Sequence, residues 1–229
     1  MKYMGSKSRI AKELLPIILK DRKPEQWYVE PFVGGGNMID KVGGKRIGAD
    51  FNPYVIEALK LIRDAPESLP DHVTEDYYQE LKAKKELKGL TGWVAFSCSF
   101  GAKWFGGYAR GEGRNHCAEA KRNALNQSPK LQDIIFISGS YLYLDIPKNS
   151  IIYCDPPYEG TTKYKDGFCH ATFWNWVRAK SLEGHTVFIS EYNAPEDFIC
   201  VWEKELTTSF STSESIKATE KLFIFNDLY

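Results

Sequence analysis

The sequence predicts an α/β fold, a doubly wound and mostly parallel sheet, on three observations. A short apolar run at 27–32 breaks into Val33-Gly34-Gly35-Gly36 and passes into a helical pattern from Asn37, giving strand, glycine turn and helix in succession. A second unit follows at once, with a strand from Arg46 to Asp50, a helix start at Asn52-Pro53, and a helix over 54–63. The third observation is Ile151-Ile152-Tyr153-Cys154, a continuous apolar run of the kind expected in a parallel strand buried on both faces. Two βα units in a row, with a buried strand further on, point to a doubly wound architecture.

Taken in order, the helix over 54–63 places Val55, Ile56, Leu59 and Ile62 on one side, a spacing that suits packing on a sheet. From about Ala65 to Leu131 the βα rhythm is lost. A Lys-rich helix is expected at 76–88, then a glycine- and aromatic-rich stretch runs from Gly101 to Gly111. The rhythm returns with strands at 134–138, 151–155 and 186–191, and with a helix over about 173–181. The runs at 199–206 and 221–225 have no helix between them, so they should pair antiparallel as a hairpin at the sheet edge. The expected division is a main domain from 1–64 and 132–229, with an inserted subdomain at 65–131.

A chain of 229 residues can bury a core without disulfides. Its five cysteines form no Cys-x-x-Cys pair, so they read as reduced thiols in a cytosolic protein, and no zinc site is implied. No apolar stretch approaches the roughly 18 residues of a membrane span. Net charge is zero, yet residues 1–144 carry 22 basic and 17 acidic side chains and residues 145–229 carry 8 and 13, which leaves +5 on the first part and −5 on the second. That balance permits nucleic-acid binding without arguing for it.

Asp155-Pro156-Pro157-Tyr158, at the end of the third run, suits one chemical problem. An exocyclic amine on a nucleobase is a poor nucleophile because its lone pair is delocalised into the ring. Two acceptors aimed at its hydrogens correct this: a carboxylate at a strand end and a proline carbonyl in a stiff turn, with an aromatic ring to stack on the base. The ordinary alternative is an exposed turn after a strand. At 33–36 the glycines allow close approach of a ligand, although Ile39 stands where a dinucleotide Gly-x-Gly-x-x-Gly motif needs its third glycine. Asp50, ending the second strand, can accept hydrogen bonds from both hydroxyls of a ribose, or can serve as a helix N-cap.

These motifs, in this order, resemble the Dam-type DNA adenine-N6 methyltransferases of the D12 class. Lys2-Tyr3-Met4-Gly5-Ser6-Lys7 resembles the N-terminal cofactor motif, Glu30-Pro31-Phe32-Val33-Gly34-Gly35-Gly36 the Phe-x-Gly-x-Gly loop, and Gly48-Ala49-Asp50-Phe51-Asn52 the ribose motif. The resemblance implies a Rossmann-like sheet dependent on S-adenosylmethionine. Tyr3, Lys7, Phe32, Gly34, Gly36, Asp50 and Asp155 would hold that cofactor. Asp155, Pro156 and Tyr158 would act on the target adenine, flipped out of double-stranded DNA. No metal is required by such a transfer. A monomer or weak dimer in the cytoplasm, that of the host if the gene belongs to a phage, is the implied setting, with restriction-modification among the roles.

The stretch from Tyr108 to Asn115 is similar in flavour to the family's DNA-reading segment, which makes Lys103, Tyr108, Arg110, Arg114, Asn115, Lys121 and Arg122 the expected DNA contacts. Trp104 and Phe105 suit core packing as well as insertion between bases. No recognition sequence follows from these residues. A methyltransferase acting on RNA, cytosine N4 or protein glutamine, and a catalytically inactive DNA-binding relative, are the competing readings. A nicotinamide-dependent oxidoreductase is disfavoured by the missing third glycine.

Overall fold

The computed structural model describes residues 1–111, 113–159, 168–209 and 215–226. Strands β1 (Tyr28–Glu30), β2 (Arg46–Asp50), β3 (Ile134–Ser138), β4 (Ile151–Cys154) and β5 (Thr186–Glu191) run parallel, while β6 (Phe198–Ser209) and β7 (Ser215–Phe225) form an antiparallel hairpin. The sheet order is β3-β2-β1-β4-β5-β7-β6, with β7 antiparallel to β5. The expected hairpin is present at the edge, with its second strand lying inside its first. β1 and β4 are neighbours although the chain between them has visited the far edge, so the winding direction reverses there. In open α/β sheets ligands bind at that reversal, beyond the carboxyl ends of the strands.

Period-two alternation assigns the two faces. Tyr28, Tyr153, Phe188 and Leu222 point into one apolar cluster, and Val29, Ile152, Cys154, Val187, Ile189 and Phe223 into the other. The first face is covered by α1 (Ala11–Ile18), α2 (Pro53–Asp64), α4 (Gly89–Ser97) and α5 (His116–Leu131). The second is covered by α6 (His170–Leu182) through Phe173, Trp174, Trp176 and Val177. The sequence-predicted helix at 54–63 is α2, with Val55, Ile56, Leu59 and Ile62 all buried.

Some expectations give way to local chemistry. The helix expected from Asn37 is a single 3₁₀ turn at Ile39–Lys41, since only a few residues separate Gly36 from the Gly43-Gly44 break, where Gly44 has φ +75°. The Lys-rich helix is α3 (Glu75–Lys84); Thr74 caps its start, and Lys85, at φ +47°, ends it before residue 88. The segment 65–131 does not build a core of its own. Trp93, Val94, Phe96, Ala120, Ala124 and Leu131 join the cluster on the first face of the sheet, so α4 and α5 act as its covering layer.

Close approach makes that layer possible. A Cβ on Gly92 would stand 2.1 Å from the carbonyl oxygen of Tyr54, and one on Gly89 would stand 2.7 Å from that of Glu57. These glycines, three residues apart on one face of α4, let it lie backbone to backbone on α2.

Candidate active site at the reversal of the sheet

The glycine turn leaves β1 beside the end of β2. Its backbone is tied to β2 by Val33 N–H donating to the Ala49 carbonyl at 2.8 Å, and it closes on itself through Gly36 N–H to the Val33 carbonyl at 2.9 Å. Gly34 and Gly36 have φ of +48° and +68°, a region that a side chain would strain. Asp50 braces the same turn, accepting from Gly34 N–H at 3.0 Å and from Asn52 N–H at 2.9 Å. The cap of α2 is Asn52, which accepts from Tyr54 N–H, so Asp50 is not the helix N-cap. Burial raises the Asp50 carboxyl to about 6, against the lowering effect of its two amide donors.

Tyr3 lies on this turn: a Cβ on Gly34 would be 2.9 Å from its ring, and its ring packs on Phe96 at 5.0 Å between centroids. Phe32 turns to the second face, where it packs with Tyr141, Phe168 and Phe173 in an aromatic cluster.

Across the reversal, β4 ends at Cys154 and Asp155-Pro156-Pro157-Tyr158 begins. Lys7, in a 3₁₀ turn at Lys7–Arg9, reaches this site from the other end of the sequence. Its ammonium lies 3.2 Å from Asp155 and 3.5 Å from Glu220, and sits over the Tyr158 ring at 4.5 Å from the centroid. Tyr158 donates its hydroxyl to Glu220 at 2.7 Å, and the edge of one ring meets the face of the other where Tyr158 packs against Tyr192 at 4.6 Å. Burial opposes the charge on Lys7, but Asp155 and Glu220 outweigh it and raise its pKa. Burial also lifts the Asp155 carboxyl above the usual carboxylate range; Lys7 works against that rise and Glu220 adds to it.

Two carboxylates here were not singled out from sequence. Glu220 sits in β7, where only antiparallel pairing brings it to the carboxyl end of β5. Glu191 ends β5, accepting from Tyr192 N–H at 2.7 Å and from Glu159 N–H at 3.2 Å, so it braces the turn after Tyr158. Burial pushes its carboxyl up to about 7. For Glu191 a signal existed: an acid ending an apolar parallel strand is what drew attention to Asp50 and Asp155. Buried Glu30, beneath the glycine turn, accepts from the Tyr28 hydroxyl at 2.8 Å.

The expected DNA contacts lie along the 100–122 segment, of which Glu112 is outside the described residues. Lys103 and Arg122 are exposed. Arg110 pairs with Glu75, Arg114 with Glu119 at 2.8 Å, and Lys121 with Asp71 at 2.9 Å. Asn115 caps α5 by accepting from Ala118 N–H, and it also donates to the Asp71 carbonyl. Tyr108 donates to the Val73 carbonyl at 2.6 Å. Of the two roles open to Trp104 and Phe105, packing is the one seen: Trp104 lies against Tyr54, Phe96 and Phe105, and Phe105 is buried. Tyr3, Phe96 and Trp104 thus form a row of rings from the glycine turn to this segment.

Residues 3–89 match the family model described as D12 class N6 adenine-specific DNA methyltransferase. The chain is 21% identical over 221 residues to the type II methyltransferase M.FokI of Planomicrobium okeanokoites, an alignment that covers 80% of this chain and 32% of that protein. It therefore spans about a third of the length of that curated relative. Among solved structures, the Haemophilus influenzae protein HI0767, assigned as a methylase, superposes at a TM-score of 0.41 with 13% identity, over 97% of this chain and 100% of the other. PH1948 of Pyrococcus horikoshii, assigned as an RNA methyltransferase, superposes at 0.43 with 12% identity, over 95% and 82%. Residues 3–89, which hold Lys7, the glycine turn and Asp50, are thus the part of the chain that is similar to the D12 class N6 adenine-specific DNA methyltransferase family.

Proposed function

We propose that the chain transfers a methyl group from S-adenosylmethionine to the N6 amine of adenine in DNA, with the base drawn out of the duplex into the site beside Asp155. The observation that carries this reading is the meeting, at one reversal of the sheet, of a glycine turn braced by Asp50 and an acid-proline turn ending in Tyr158.

The donor set suits the cofactor. Each Asp50 oxygen accepts one amide proton and keeps a lone pair for a ribose hydroxyl. The positive φ of Gly34 and Gly36 leaves the turn without side chains of its own. Tyr3, Lys7, Gly34, Gly36 and Asp50 would hold the cofactor, and Phe32 would act from beneath the loop. Bound S-adenosylmethionine supplies a methyl group made electrophilic by its sulfonium.

The remaining work belongs to the chain. Asp155 and the Pro156 carbonyl accept the two N6 hydrogens, which draws the lone pair out of conjugation and aims it for attack. Tyr158 stacks on the extruded base, whose removal from the duplex costs about a few kcal/mol. Asp155 is the acceptor for the proton that the amine loses once it is methylated.

Mass spectrometry of nucleosides, after incubation with labelled S-adenosylmethionine and either duplex DNA or RNA, tests the reading. N6-methyladenine in DNA is expected from the wild type and none from Asp155→Ala, which should still bind DNA. Label confined to RNA or cytosine moves the chain to another methyltransferase class, and near-normal transfer by Asp155→Ala overturns the mechanism.

A further inference from the structure

Glu220 lies outside the stretch that matches the family and outside the motifs that the sequence displays, yet it touches two members of the site. One of its oxygens, Oε2, accepts from the Tyr158 hydroxyl at 2.7 Å and faces the Lys7 ammonium at 3.5 Å. Its side chain is only 13% exposed, so these contacts are made largely away from solvent screening. Lys7 is in turn 3.2 Å from Asp155 and covers one face of the Tyr158 ring. One ammonium therefore serves two carboxylates, and the cluster Asp155, Lys7, Glu220 carries a net charge of −1 when both acids are ionised.

We propose that Glu220 is a positioning residue for methyl transfer, which fixes Tyr158 and shares Lys7 with Asp155 so that Asp155 remains a strong acceptor for the target amine. The inference rests on the methyl-transfer reading. If Lys7 belonged to Asp155 alone, its charge would satisfy the carboxylate and weaken it as an acceptor of amine hydrogens. Drawn half toward Glu220, Lys7 orients Asp155 without quenching it. The hydroxyl bond at the far end of Tyr158 holds the ring by a second point, which presets the surface on which a base would stack. Asp155 also feels Glu30 below the glycine turn, Tyr153 on its own strand, and Glu191 and Tyr192 at the end of β5. Among the described residues the carboxylates that pair with Lys7 are Asp155 and Glu220, so Glu220 is the group through which Lys7 is divided.

Titration of the Asp155 carboxyl by ¹³C NMR in the unliganded protein, assigned with Asp155→Asn, reads the cluster without any substrate. In Glu220→Gln the Asp155 midpoint should fall, because Lys7 then serves Asp155 alone and a repelling charge is gone; Glu220→Asp should return it toward the wild type. The pH profile of transfer supplies the second readout. Glu220→Gln should lower kcat about tenfold to a hundredfold, the range for a misplaced reacting group, leave KM for the methyl donor unchanged, and move the acidic limb to lower pH. An unmoved Asp155 midpoint, a wild-type kcat, or a fall in kcat with an unmoved limb and a lowered melting midpoint overturns the proposal. Should Glu220→Gln fail to fold, Tyr158→Phe removes the hydroxyl that Glu220 holds, and full kcat in that variant overturns it as well. Absence of transfer by the wild type on every acceptor sinks the methyl-transfer reading instead, and the titration remains readable.

Discussion

Glu191 shows how a single buried acid couples this site to pH. Its carboxyl rises to about 7 in the folded chain because burial outweighs two amide donors. A carboxyl raised by folding holds its proton more tightly in the native state, so its contribution to stability is fully present below about pH 4.5 and is lost as pH rises through about 7. The loss has an upper bound on the order of 3 kcal/mol. Asp50, raised to about 6, acts with the same sign and is common to wild type and variant. Urea denaturation at pH 5.5 and 8.5 should therefore show a smaller loss of stability for Glu191→Gln than for the wild type, and equal losses would mean that Glu191 does not titrate with folding. At this scale the sequence was readable where a residue ends a strand: Asp50 and Asp155 both stand at carboxyl ends around the reversal. It was silent on Glu220, because nothing in Thr219-Glu220-Lys221 reveals which strand β7 will pair with or in which direction.

Among the elements, α4 and α2 make the sharpest statement about packing. Replacing a glycine by alanine inside a helix ordinarily gains up to about 1 kcal/mol. At Gly92 the added methyl would meet the Tyr54 carbonyl oxygen at 2.1 Å, which the pair can relieve only by separating. Overpacking then dominates, and Gly92→Ala should lose a net ~1–3 kcal/mol in chemical denaturation; stability at or above the wild-type level would contradict so close a pairing. The strands and α2 were legible because their periodicities and flanking Gly, Pro and Asn residues agree. The layer formed by α4 and α5 was not. Gly-Leu-Thr-Gly-Trp-Val-Ala-Phe is apolar on every side and buried almost throughout, so it carries no amphipathic stripe to distinguish covering layer from insertion. The role of 65–131 in target recognition is a proposal; its helices share the hydrophobic core on the first face of the sheet.

For the whole molecule the charge balance sets an expectation about DNA. With no net charge, and with Arg110, Arg114 and Lys121 each already beside a carboxylate, a phosphate would have to displace Glu75, Glu119 or Asp71. Such exposed pairs are screened by solvent and weak, so the exchange costs little and gains little. Glu75→Gln should tighten DNA binding, and Arg110→Ala should weaken it and reduce the slope of log affinity against log salt by about 1 if Arg110 meets a phosphate. Anisotropy titrations over a salt series decide the matter: unaltered affinity and slope in both variants would place the duplex elsewhere. Among the described residues no helix is long and apolar enough to cross a membrane. The placing of β7 between β5 and β6 also has a consequence for synthesis on the ribosome. β7 follows β6 in the chain but lies between β5 and β6 in the sheet, so β6 is made before its native partner and must wait for β7 before the hairpin can dock as a unit. Until then β5 presents an open edge, and Lys7 and Tyr158 lack the carboxylate that unites them. A nascent chain carries every sequence motif of the site well before it carries the site.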